Sequence, residues 1–200
     1  MKLYYSPTSP FARKVRIVAR ERGLIDRIEE IVVDPWADAP ALLATNPAVQ
    51  VPTLIAEDGL PLTDSPLICD YLDRIAEGLR LTPPDGPEWL RVRRFETLGD
   101  AAAEQGVKLV VESRRPEGTR SEAWTARCAR SLERILDAME TTAPEADAFD
   151  MGAIAVGSTL AWLEFRRLAP DWRATRPRLA ALDARLSARP SFAATRPPEA

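Results

Sequence analysis

Three hydroxyls, Ser6, Thr8 and Ser9, stand close together near the start of the chain in the stretch YYSPTSPFARKVRI, residues 4–17. A serine becomes a nucleophile only with a base beside it, and the usual base is missing: the sequence holds no histidine. That removes Ser-His-Asp and Cys-His arrangements and most zinc sites. A hydroxyl can still act through hydrogen bonds at a helix start. Ser9-Pro10-Phe11 and Ser65-Pro66-Leu67 each set a serine and a proline directly ahead of an amphipathic run. Proline at the first helical position has its φ preset and no N–H to leave orphaned, and it pushes the preceding serine into the extended backbone of an N-cap. Both serines are therefore expected to cap helices, each contributing on the order of 1 kcal/mol. A helix start carries roughly half a positive charge and takes anions readily, so two such starts in one small domain can hold a ligand with two anionic centres. A third element is Val51-Pro52-Thr53-Leu54, where proline opens a strand and keeps its neighbour's backbone groups out of the sheet ladder. Such groups can pair with an added peptide strand, and a cis bond at Val51-Pro52 would fix the tight turn required.

These residues need elements to position them. KLYY reads as a short strand, a helix opens at Pro10 and ends near Gly23, and the β-branched segment RIEEIVV at 27–33 completes a β-α-β unit. A second unit follows: the helical stretch PALLAT, the turn NPAVQ, the strand VPTLIAE, a turn at Asp58-Gly59, a brief strand and the helix DSPLICDYLDRIAEG. The alternation predicts a mostly parallel sheet covered by helices. TPPDGP at 82–87 cannot continue either kind of element. A first domain over 1–79, a linker over 80–87 and a second domain over 88–200 are expected. The second domain shows only helical periods, over about 88–114, 121–142, 150–169 and 177–188. Met151, Ile154, Val156, Leu160 and Leu163 give the third of these an apolar face broad enough for a central buried helix, which Asp150 is placed to cap. Ala153 stands where a capping box needs an acidic partner, so only half the box is present.

Composition bounds the rest. With 46% hydrophobic residues in 200 and a net charge of −3, this is a globular chain whose charges are interspersed, which excludes nucleic acid and anionic membrane surfaces as expected partners. Arginine outnumbers lysine 24 to 3, at helical spacings expected to face solvent. Residues 1–9 lack the pattern of a signal peptide, and MGAIAVGSTLAWL at 151–163 is too short to span a bilayer. The cytoplasm is the expected location. Cys69 and Cys128 form no CxxC and read as small buried hydrophobes in a reducing compartment.

On SPF in the first loop, VPTL at 51–54, DSPLICDYL at 64–72, the helix DMGAIAVGSTLAWLEF and RPSFAAT at 189–195, the chain resembles the soluble glutathione transferases. The likeness spans essentially the whole sequence, and the TSPFARK loop is similar to that of small bacterial members. It implies α/β plus all-α architecture: a thioredoxin-like N-terminal domain with a mixed sheet, then an all-helical C-terminal domain. By the same resemblance, Asp64 and Ser65 match the acidic-serine pair that holds the γ-glutamyl end of glutathione, with its carboxylate on Ser65 and its ammonium near Asp64. Val51 matches the residue whose backbone pairs with the cysteinyl part, ahead of a cis-proline at Pro52. Gln50 and Phe11 fall at further ligand-contacting positions.

Ser9 matches the position that carries the catalytic serine in some classes and a cysteine in the omega-like class. A serine O–H there favours the glutathione thiolate over the thiol, and lowering a free thiol's pKa of ~8.5 by about one to two units corresponds to ~1.4 kcal/mol per unit. Thr8 ranks next; Ser6 is a further hydroxyl in the same loop, and Tyr4 and Tyr5 rank lower because they lie within the strand. The implied activity is glutathione transfer to an electrophilic small molecule, with thiol-transfer or peroxidase side activity, a detoxifying role and no metal. An electrophile pocket near Gln105, Lys108 and Val111 is implied, although these residues are equally explained as a helix face. A homodimer is implied as well, with Arg91, Arg93, Arg94 and Glu96 as candidate polar contacts. The competing reading is a non-catalytic module of the same fold that engages a partner protein.

Overall fold

Ser9 has extended backbone (φ −91°, ψ 124°) and its Oγ accepts a hydrogen bond from the Ala12 N–H at 3.2 Å, so α1 (Pro10–Glu21) begins where the doublet predicts. It ends in a Schellman turn: Gly23, at φ 66°, donates to the Arg20 carbonyl and Leu24 to that of Ala19. Only glycine takes that backbone without a Cβ penalty. The computed structural model describes residues 1–144 and 148–198; residues 145–147 and 199–200, which fall within the expected second domain, lie outside it.

The chain divides into two compact units, Met1–Pro83 together with Arg189–Ala200, and Pro84–Ala188. In the first, β1 (Lys2–Tyr5), β2 (Glu29–Val32), β3 (Thr53–Ile55) and β4 (Pro61–Thr63) form one sheet in the order β2-β1-β3-β4. The β1–β2 pair is parallel, whereas β1–β3 and β3–β4 are antiparallel. The sheet is therefore mixed, as the resemblance implies, and the mostly parallel sheet expected from the alternation of elements alone is corrected. The strand before Asp58-Gly59 and the strand after it form a hairpin, and a hairpin can only pair antiparallel. The short α2 (Pro40–Leu43) precedes β3, and α3 (Ser65–Ile75) packs on α1. Ala12, Val15, Val18 and Ala19 of α1 meet Ile68, Cys69 and Leu72 of α3 in the core, each of them fully buried. Burying a side chain such as Leu72 contributes about 1.5–3 kcal/mol.

The second unit contains α4 (Gly86–Ser113), α5 (Glu122–Thr142), α6 (Met151–Phe165), α7 (Trp172–Thr175) and α8 (Pro177–Ser187). Twelve of the fifteen residues of α6 are buried, as its all-round apolar pattern requires. Asp150 caps it, accepting from the Ala153 N–H at 2.8 Å. From α4, Arg91 donates to the second Asp150 oxygen at 2.7 Å and so holds the capping carboxylate in place. Arg91 also pairs with Glu88, and Arg93 with the buried Glu96 at 2.7 Å. Arg91, Arg93 and Glu96, candidates for polar contacts of a dimer, thus make ion pairs within their own unit.

Two further expectations are corrected. The terminal segment, assigned to the helical domain, joins the first unit through α9 (Pro190–Ala193). Arg189 donates to both Glu21 oxygens at 2.9 and 2.7 Å, the Ser191 hydroxyl donates to Glu21 at 2.5 Å, and Arg13 donates to the Phe192 carbonyl at 3.2 Å. Nor do the arginines all face solvent: Arg13 and Arg176 are buried, the latter between Glu133 and Asp137. Both cysteines are free and buried. Among the described residues no helix is long and apolar enough to cross a membrane, and no cluster of three or more acidic or cysteine side chains is arranged to hold a metal ion.

Candidate functional site

Strand register brings the singled-out residues to one edge of the sheet. Tyr4 pairs with Thr53, Thr53 pairs with Thr63, and Tyr5 pairs with Val32. The C-terminal ends of β1, β2 and β4 therefore lie beside the N-terminal end of β3. Three chain segments issue from that edge: the loop from Ser6 to Ser9, the turn through Gln50, Val51 and Pro52, and the Asp64-Ser65 corner.

In the first loop the Ser9 N–H donates to the Ser6 carbonyl at 3.1 Å, and the Ser6 and Thr8 hydroxyls are 3.4 Å apart. Ser9 Oγ accepts from Ala12, which leaves its own O–H available to donate. Phe11 is half-buried in the first turn of α1. Tyr5 is buried, with the Arg16 guanidinium 4.3 Å above its ring, so it is occupied within the fold.

The second segment contains a cis peptide bond at Val51-Pro52, as expected. The β3 ladder starts at Thr53, so the backbone groups of Val51 lie outside it. What holds this turn is a residue sequence reasoning missed. Asn46, 3% exposed, donates to the Gln50 carbonyl at 2.9 Å and to Thr53 Oγ1 at 3.0 Å, and accepts from the Ala48 N–H at 3.0 Å. Thr53 Oγ1 in turn donates to the Gln50 carbonyl at 2.9 Å. The Asn-Pro pair in NPAVQ signals an Asx turn, and that signal was available. The Gln50 side chain is exposed.

At the third segment the structure departs from the expected pair of N-caps. Asp64, not Ser65, occupies the N-cap position of α3, with φ 72° and ψ 127° and no side-chain cap bond. A positive φ at a non-glycine residue costs of order 1 kcal/mol or more. Its effect is to advance Ser65 into the first turn of the helix, where the side chain is 1% exposed and Oγ has no hydrogen-bond partner. A sealed hydroxyl without a partner costs about 1–3 kcal/mol. The Asp64 carboxylate remains exposed beside it.

Electrostatically, α1 is anchored by two carboxylates. Burial opposes the charge on Glu30, but hydrogen bonds from Arg20 and Arg16 outweigh it and hold the carboxyl below its ordinary range. Burial likewise opposes the charge on Glu21, and Arg189 and Ser191 outweigh it.

A four-stranded mixed sheet with helices, followed by a helical unit, is a thioredoxin-like plus all-helical architecture. The Glutathione S-transferase, N-terminal domain family matches residues 8–75. A GST-like protein of Escherichia coli (strain K12), YibF, is 36% identical over 205 aligned positions that cover 100% of both chains. A glutathione transferase family member from Pseudomonas fluorescens Pf-5, solved with bound glutathione, superposes with a TM-score of 0.93 at 34% identity over 98% of each chain. A glutathione S-transferase from Methylobacillus flagellatus KT, also with glutathione bound, gives 0.91 at 36% identity over 98% of this chain and 99% of its own. The chain belongs to the glutathione S-transferase family.

Proposed function

We propose that this chain is a glutathione transferase that binds glutathione at the three turns of the sheet edge and directs its sulfur at an electrophilic small molecule. The observation that carries the reading is Ser65 Oγ, sealed and without a partner at the start of α3 beside an exposed Asp64 carboxylate. A carboxylate at that helix start would accept from the orphaned hydroxyl and meet the helix's positive end, while Asp64 would take an adjacent ammonium. The backbone groups of Val51, outside the ladder, suit a peptide running antiparallel to them, with Gln50 and Phe11 flanking it. Glutathione supplies a thiol whose deprotonated form is a strong nucleophile.

The role of Ser9 is to donate its remaining O–H to that sulfur, with the start of α1 adding positive potential, which favours the charged form. Thr8, with its hydroxyl near Ser6, is the alternative donor. We further read the TSPFARK loop as that of the small bacterial subgroup, the protein as a cytoplasmic homodimer with a detoxifying role, and thiol-transfer or peroxidase chemistry as side activities. We also read the chain as a glutathione-binding first domain followed by a helical second one, a reading that the two compact units support.

Calorimetric titration with glutathione, followed by a panel of halogenated aromatics, peroxides and disulfides, tests the reading. Micromolar to millimolar binding with turnover of at least one acceptor is expected. Binding without turnover of any acceptor would favour the partner-engaging module, and absence of heat at millimolar glutathione would overturn both.

A further inference from the structure

Within the helical unit, the Arg166 guanidinium pairs with no carboxylate among the described residues. A Cβ added to Gly152 would lie 2.8 Å from the Val92 carbonyl oxygen, one on Gly99 3.0 Å from the Ala155 carbonyl carbon, and one on Gly106 2.5 Å from the Trp162 ring. Positions on α4 and α6 therefore advance together: the two helices run parallel and finish at the same end, with Arg114 and Arg166 as their C-cap residues. The end of α6 is a Schellman turn in which Arg167 donates to the Glu164 carbonyl at 2.9 Å and Leu168 to that of Leu163 at 3.0 Å. Arg167 adopts φ 56° to make it, a conformation that usually falls to glycine. This closed turn fixes the backbone that carries Arg166.

The Arg166 guanidinium lies 4.8 Å from the centre of the Phe165 ring and 6.0 Å from that of Trp162. Its Nε is sealed from solvent with no hydrogen-bond partner, and no carboxylate among the described residues pairs with it. The acids flanking it and Arg114 in sequence are engaged elsewhere. Glu164 pairs with Arg173 at 2.7 Å, and Glu112 accepts from the Ser121 N–H at 2.6 Å and lies 3.8 Å from Arg115. Burial, and then the Arg114 charge, push the Arg166 pKa down, as expected for a cation short of counter-charge. The negative ends of two parallel helices account for the tolerance of paired arginines here. They do not fill the Arg166 donors, whose planar fork matches a carboxylate.

We propose that Arg166, with Arg114 beside it and the Phe165 ring against its face, forms a binding site for a small organic carboxylate with an aromatic body. The guanidinium takes the carboxylate, and the ring supplies apolar contact that an inorganic anion cannot use. This site does not rest on the glutathione reading.

The test is calorimetric titration of the full chain with benzoate and 3-phenylpropionate, with benzamide and sulfate as controls. Saturable binding of both carboxylates is expected, with no binding of benzamide and weaker binding of sulfate. Arg166→Met should weaken the carboxylates by about tenfold or more and Arg114→Met by about threefold, Arg166→Lys should retain part of the affinity, and the glutathione titration should be unchanged in all three. No carboxylate binding up to about 10 mM, or equal binding by Arg166→Met or of benzamide, would overturn the site. Equal binding of sulfate would overturn its assignment to an organic ligand. Should Arg166→Met fail to fold, Arg166→Gln and Arg114→Met give the same readout.

Discussion

The two serine-proline helix starts of the first unit share a dipeptide and differ in what becomes of the hydroxyl. Ser9, in extended backbone, uses its oxygen to cap α1 through the Ala12 N–H. Ser65 stands one position further into its helix because Asp64 has taken the cap with a positive φ, and its oxygen is sealed with no partner. The first arrangement stabilises the protein by itself; the second costs stability until something accepts from it. A cap position and a first-turn position, one residue apart, thus separate a hydroxyl whose oxygen is already engaged by the backbone from one whose oxygen is not, and only backbone dihedrals distinguish them.

Substitutions can break or sharpen that contrast. The largest effect is expected from Ser65→Ala: glutathione affinity, read by calorimetry, should fall by about ten- to a hundredfold, the loss of one hydrogen bond to a charged group. The unliganded protein should melt no lower, because an orphaned hydroxyl is removed. Ser9→Ala should behave in the opposite way. The apo protein should lose about 1 kcal/mol through its missing cap, glutathione should still bind, and the pKa of the bound thiol, read by thiolate absorbance, should rise by about one unit with a corresponding fall in turnover. An unchanged thiol titration would remove Ser9 from the chemistry and turn attention to Thr8.

Asp64→Gly should relieve the positive φ and raise apo stability by up to about 1 kcal/mol, while weakening glutathione binding through loss of the carboxylate. Equal affinity in this variant would sink the ammonium-binding role. The smallest effect is in acid. Glu30 and Glu21 have carboxyls held below their unfolded range, so the stability they contribute is present at neutral pH and is lost as pH falls from about 4.3 through their folded values. Hydrogen exchange across pH 6 to about 3 should therefore show α1 loosening before α3, and Glu30→Gln should flatten that trend, by about 1 kcal/mol for these partly solvated pairs.

How far the sequence reached can be judged at the same residues. Helix starts with a proline at the first position, the turn at Val51-Pro52, the Asp150 cap and the buried run of α6 were legible, because each is encoded within a few adjacent residues. The sheet's direction was not, since strands of three residues such as Thr53–Ile55 carry too little alternation to fix pairing. The sign of φ at Asp64 was invisible because aspartate tolerates both, so the expected pair of caps became one cap and one sealed hydroxyl. Asn46 could have been found from its Asx-turn context, although its reach to Gln50 and Thr53 depends on the folded turn. The return of the terminal segment had no periodicity to betray it, because α9 is a single turn held by Glu21 and Arg13, far away in sequence.

That return has a consequence for synthesis. During translation the sheet and α1 leave the ribosome early, but the groups that clasp Glu21 and cover Arg13 are made only after the whole helical unit. The amino-terminal half must wait, incompletely fastened, while its neighbour folds, and a nascent chain stalled short of Arg189 would carry the helix of Ser9 without its final latch.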